Sequence, residues 1–216
     1  WGKYEFFVFM ATGLLINSLI QTFFMPNADE FSDLIRLGNL DFALLKPIDT
    51  QFLVSLRRVH WAGMGNFGFG LLLLAYSLMR IDYTPTLLQC LLYPLYIACG
   101  VAIMYSLMIS LAATSIWLGR NQTLYDFWFY IVNFGRYPME IFDGTYGAPL
   151  RWFFTFIVPI LVVVNVPARL LALPVHPEHF EDWFLPLFAV VAAIVSLIVS
   201  RMIFQAALTS YRSASS

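Results

Sequence analysis

Side chains able to do chemistry are few in this chain, and they fall in three places. The first is the stretch from Val175 to Trp183, where His176, Glu178, His179, Glu181 and Asp182 have metal-ligating types. A zinc-like centre needs ligands converging at fixed spacing, and Pro177 breaks helical spacing, so a solvated acidic turn is expected. His60 stands alone at the mouth of an apolar segment. There is no Gly-x-Ser-x-Gly elbow, and no Ser, His and Asp lie suggestively near one another. The phosphate-cradling GxxxxGK[ST] loop is also missing, so any ATP-driven work must come from another chain. No catalytic and no metal-binding residue is assigned.

The second place is polar side chains inside apolar segments. Asn17 and Gln21 are four apart and share a helix face, which suits hydrogen bonding to another helix or, alternatively, contact with a substrate. Phe127, Tyr130, Asn133 and Arg136 lie on a later segment and complete the set of pathway candidates. Arg136 and Glu140 are spaced to pair along a helix, although Pro138 between them threatens that geometry. Aromatic residues make up 18 % of the chain. Most must line lipid or pack helices, and an apolar, aromatic passage suits a lipid-like, flat or cationic amphiphile better than a sugar or inorganic ion.

The third place is Asn27 to Thr50, which holds Asp29, Glu30, Asp33, Arg36, Asp41, Lys46 and Asp49 between two lipid-like segments. Asn27 followed by Glu30 is close to a capping box, and Phe31, Leu34 and Ile35 fall on one face of a short helix. Its acids lie in the early turns, where the helix dipole favours negative charge, and Gly38-Asn39 offers a stop. An amphipathic, charged element at a membrane face is either an ordinary interfacial helix or a handle for something outside the bilayer.

The elements that must hold these residues are membrane helices. Of 216 residues, 60 % are hydrophobic and 12 % charged, and the mean hydropathy is +0.75, against roughly 45–50 % and 25 % in soluble domains. A net charge of −1 with scattered cations excludes a nucleic-acid footprint. Cys90 and Cys99 lie in an apolar segment and read as buried free thiols. Crossings are expected over 6–25, 61–79, 87–112, 123–142 and 183–205. Gly63, Asn66 and Gly70 supply one close-packing face, and Gly100, Ser106, Ser110, Ala112 and Ala113 another. Pro159 and Asn165-Val166-Pro167 interrupt 151–173, which suits two short helices entering and leaving one leaflet. On that count the 27–50 handle, Arg57-Arg58 and the C-terminal tail share one side, which the positive-inside bias makes cytoplasmic.

Two patches carry a family resemblance. Ile35-Arg36-Leu37-Gly38-Asn39-Leu40-Asp41 with Leu44-Leu45-Lys46-Pro47 resembles the I-R-x-G-x-L-D-x-x-L-L-(R/K)-P signature of ABC-2 type permeases, the membrane subunits of bacterial ABC exporters. Gly135-Arg136-Tyr137-Pro138-Met139-Glu140-Ile141-Phe142, Leu150-Arg151, Phe156-Ile157-Val158-Pro159 and Val166-Pro167-Ala168 resemble a second region of the same family. The resemblance covers nearly the whole chain. It implies an all-α integral membrane protein with the ABC-2 permease fold, here as five transmembrane helices plus a re-entrant hairpin, in a multi-pass chain of the bacterial inner membrane.

It also implies partners: two ABC ATPase subunits carrying ATP and Mg, a second permease in a homodimer or heterodimer, and a hydrophobic or amphiphilic small molecule as substrate. The 27–50 segment becomes the coupling element. Its expected ATPase contacts are Asp29, Glu30, Phe31, Asp33, Leu34, Ile35, Arg36, Gly38 and Asp41, with Phe31, Leu34 and Ile35 buried in the partner and the charges on the rim. Family members have an interfacial helix and a first crossing absent here, so residues upstream of Trp1 are expected. A membrane enzyme using His60 or the 176–182 loop, and a non-transporting scaffold, are the rival readings.

Overall fold

The first apolar segment does not stop where its charges begin. In a computed structural model, which describes residues 1–118, 122–173 and 180–211 (backbone alone for 122–127 and 180–182), Lys3–Leu19, a π-turn over Ile20–Phe24 and Met25–Arg36 run on as one 34-residue helix, α1. At about 1.5 Å per residue it is roughly 50 Å long, so part of it must project beyond a hydrocarbon layer of about 30 Å. The expected cap at Asn27 is therefore corrected. Amides inside a continuous helix are already paired, which leaves the Asn27 side chain for other work: it donates to the Phe23 carbonyl at 2.7 Å and the Arg58 carbonyl at 2.8 Å, and accepts from the Arg58 amide at 2.8 Å.

One turn earlier a second link forms. Four residues after Thr22 stands Pro26, which has no amide hydrogen to offer the Thr22 carbonyl. That carbonyl accepts instead from the His60 amide at 2.9 Å. The chain that leaves the bundle after Pro26 thus returns to the same place at 58–60. Gly38 ends α1 as the sequence suggests, at φ 70°, a left-handed conformation that glycine adopts without strain.

Beyond α1 come two short helices, α2 (Leu40–Leu44) and α3 (Thr50–Ser55), the latter capped by the Asp49 carboxylate accepting from the Phe52 amide at 2.9 Å. Then follow α4 (Trp61–Leu78), α5 (Leu87–Leu118), α6 (Gln122–Phe134), α7 (Ala148–Ile157), α8 (Ile160–Ala172) and α9 (Phe180–Ser210). Thr86 and Gln89 close a reciprocal cap on α5, with the Thr86 amide 2.7 Å from Gln89 Oε1 and the Gln89 amide 3.4 Å from Thr86 Oγ1.

Among the described residues no strand occurs, and four helices are long and apolar enough to cross a membrane: Lys3–Arg36, Trp61–Leu78, Leu87–Leu118 and Trp183–Ser210. The α7–α8 pair, bent by 88° at Val158-Pro159, passes the same test as one unit. The expected crossing over 123–142 is shorter than the sequence suggests. Helix α6 ends at Phe134 after 13 residues, because Pro138 disfavours helical geometry at Tyr137 and itself leads into a 3-10 turn over Met139–Phe142. Arg136 and Glu140 consequently do not pair: Glu140 binds Arg169 of α8, and the Arg136 guanidinium lies over the Phe129 ring, 5.7 Å from its centroid.

Apart from the part-exposed Arg169, every residue of helix α8 is buried, the pattern of a helix enclosed by others. Its Asn165 is fully buried and satisfied, accepting from the Met139 amide at 3.0 Å and donating to the Leu161 carbonyl at 2.8 Å. Pro167 removes the in-helix donor of the Val163 carbonyl, and Gly100 of α5 packs against that oxygen: a Cβ on Gly100 would sit 3.0 Å from it and 3.0 Å from Ile16 Cδ1. Helices α1 and α4 meet through Gly63 and Gly70. Asn66, expected on that face, is exposed. Cys90 is also exposed, on the outer face of α5, and Cys99 is partly buried.

Candidate functional site

The segment from Asp29 to Ile48 forms a ledge at the end of the bundle that holds the C-terminal half of α9. Its apolar helix face is turned inward, which corrects the expected partner contacts. Phe31 is fully buried with its ring 5.5 Å from that of Phe204, Leu34 is buried beside it, and Ile35 packs on the same core. Glu30 is engaged as well, 3.2 Å from both Arg57 and Arg58 of the returning chain. Asp41 faces Tyr211. The outward surface holds Asp29, an Asp33–Arg36 pair at 3.1 Å, and Gly38 at the turn.

What the sequence did not single out for contact is the row around that turn and beyond it. Leu37, Phe42, Leu45 and Ile48 are 64, 69, 81 and 51 % exposed, and the first two line a hollow of about 380 Å³ whose other walls include Asp33, Lys46, Leu53 and Arg57. Four large apolar residues held out on a charged ledge form a patch of the kind that marks an interaction surface. The signal was present in the run Leu40 to Leu45, but its orientation depends on which face of α1 the core takes.

A polar relay joins the ledge to the bundle. Arg201 of α9 binds the Asp49 carboxylate and donates to Gln51 Oε1 at 3.2 Å. Gln51 Nε2 reaches the Tyr105 hydroxyl of α5 at 3.2 Å, and the Ser55 hydroxyl lies 2.7 Å from the same oxygen. Because Ser55 spends its hydrogen on the Gln51 carbonyl at 2.6 Å, Tyr105 is the donor to Ser55. The Tyr105 ring also packs on Phe24 of α1, at 4.8 Å. Displacement of α3 is thus felt at α1, α5 and α9 together.

The hydrogen bonds from Arg201 and then from the Phe52 amide hold the Asp49 carboxyl below its ordinary 3.8, with a smaller opposing effect of burial. A lowered carboxylate pKa stabilises the fold fully above the unfolded value and loses that contribution as pH falls through the folded one. Both groups are about 40 % exposed, so screening limits the pair to less than about 1 kcal/mol. Asp49→Asn is expected to lower the thermal midpoint slightly at neutral pH, with the gap from the parent closing below 3.8. Paired melting curves across that range check it, and a gap independent of pH would refute it.

At the opposite part of the bundle a cleft of about 500 Å³ opens between α1, α8 and the end of α6. It brings together two of the pathway residues, Asn17 and Arg136. The others are elsewhere: Gln21 is exposed on the π-turn, Tyr130 is exposed beside Phe129, and Asn133 is half-buried off the lining. The Phe127 side chain, Arg120, His176, Glu178, His179 and the side chains of Glu181 and Asp182 lie outside the described residues. Among the described residues no cluster of metal-ligating side chains occurs.

Comparison with known proteins gives one match of wide extent. The profile of the family described as "ABC-2 family transporter protein" covers residues 1–215. No curated protein and no solved structure matches the chain.

Proposed function

Since the chain belongs to the ABC-2 family of transporter membrane proteins, we propose that it is the pathway-forming subunit of an ATP-driven exporter in a bacterial inner membrane, worked by separate ATPase subunits through the ledge. The observation that carries this reading is the exposed row Leu37, Phe42, Leu45 and Ile48, with a hollow beside Leu37 and Phe42 and a base tied to three long helices. Two ATPases binding ATP and Mg would each seat one ledge, with a second permease completing the assembly. Closure of the ATPases would push the ledge, and the Asp49, Gln51 and Tyr105 relay would pass the movement to α1, α5 and α9. In this arrangement the ledge faces the cytoplasm, α7 and α8 form a re-entrant pair at the other face, and the cleft holding Asn17 and Arg136 belongs to the substrate pathway.

The contact row changes which substitutions test the coupling. Leu34→Asp would bury a charge in the permease itself and damage the fold. Phe42→Asp with Leu45→Asp leaves the buried face untouched and is expected to reduce co-purification of the ATPase subunit at least about tenfold, at an unchanged melting temperature. An ATPase that stays bound to this double variant would exclude the ledge as its seat.

A further inference from the structure

We infer that the cleft between α1, α6 and α8 takes a single-chain amphiphile with an anionic head, held by Arg136. This deepens the proposed function by naming a substrate class for the same pathway, and so rests on that reading. The lining is mostly apolar: Phe6, Met10, Gly13 and Val164 are among its walls, and no acidic residue lines it. Its charge comes from Arg136, which is exposed with its neighbour Tyr137 on the open side. No carboxylate among the described residues lies in ion-pair range of Arg136.

The placement of that guanidinium determines the sign of the ligand. With its central carbon over the Phe129 ring, 5.7 Å from the centroid, it gains a cation–π contact that occupies no ion-pairing partner and leaves its N–H donors for a carboxylate, sulfate or phosphate. A cationic head, which aromatic content alone suggests, would meet a like charge with no carboxylate among the described residues in ion-pair range to offset it. A volume of about 500 Å³ is that of a small-ligand site and is too small to enclose both chains of a phospholipid. Asn17 on the α1 wall adds one amide for a polar group part-way along the chain.

The test compares dodecyl phosphate with dodecyltrimethylammonium, both below micelle formation, on the intact transporter complex in phosphatidylcholine nanodiscs without ATP. Dodecyl phosphate is expected to bind about tenfold or more tightly than the cation. Arg136→Gln should abolish that preference and Arg136→Lys should keep part of it. Gly13→Leu provides a second arm, because a Cβ there has ordinary contacts, 3.8 Å to Val164, while the added bulk fills the cleft; it should remove dodecyl phosphate binding at unchanged melting temperature. Equal binding of the two probes, a preference that survives Arg136→Gln, binding that survives Gly13→Leu, or displacement by bilayer phosphatidylglycerol as effective as by dodecyl phosphate would each overturn the inference. Absence of an ATPase from the complex would instead fail the proposed function, and the binding readout does not depend on it.

Discussion

Asn27→Leu is expected to destabilise the protein by about 3 kcal/mol, roughly 1 kcal/mol for each of the three hydrogen bonds the amide makes. The side chain is 2 % exposed, so water cannot easily replace it. The loss should be local first: hydrogen exchange at the Arg58 and His60 amides is expected to rise well before global unfolding. Asn27→Asp keeps the acceptor for the Arg58 amide but buries a charge and sets a carboxylate oxygen against the Phe23 and Arg58 carbonyls, and should be at least as destabilising as the leucine variant. A melting temperature and exchange pattern equal to the parent's in Asn27→Leu would mean that the returning chain is held by other contacts.

Gly100→Val is expected to prevent the normal packing of α5 on α8. The added Cβ meets the Val163 carbonyl at 3.0 Å, and backbone at a proline-bearing helix cannot move aside as a side chain can. Overpacking of this kind costs about 1–3 kcal/mol and more where backbone must shift. Gly100→Ala should lose less, since it sets the same Cβ against the Val163 carbonyl but lacks valine's two γ-methyls, leaving only Ile16 Cδ1, the end of a flexible chain, to rotate away. Yield of monodisperse protein and melting temperature, ranked parent, alanine, valine, are the measurement; a valine variant as stable as the parent would refute the packing account.

The apolar segments and their order were legible because lipid-length runs of uncharged residues leave little choice of structure. Family membership was legible from the Ile35 to Pro47 and Gly135 to Phe142 patches, and the profile match over 1–215 agrees. Less legible was where helices end. Asn27 and Glu30 have the residue types of a cap, yet local type cannot reveal that the helix before them continues, which is decided by what the returning chain offers. Orientation was harder still. Phe31, Leu34 and Ile35 form an apolar face in any reading, but whether a partner or the protein's own core covers it depends on Phe204, far along the chain. Asn17 and Arg136 met in one cleft while Gln21 and Tyr130 did not, for the related reason that a π-turn and a helix ending at Phe134 alter the phase counted from ideal geometry.

The seat of His60 is made by subtraction. Any residue but proline at position 26 would bring back an N–H able to compete for the Thr22 oxygen, and the returning chain would lose one of its moorings without one of its own atoms being changed. An amide hydrogen that was never there thus helps set the course of residues more than thirty positions downstream.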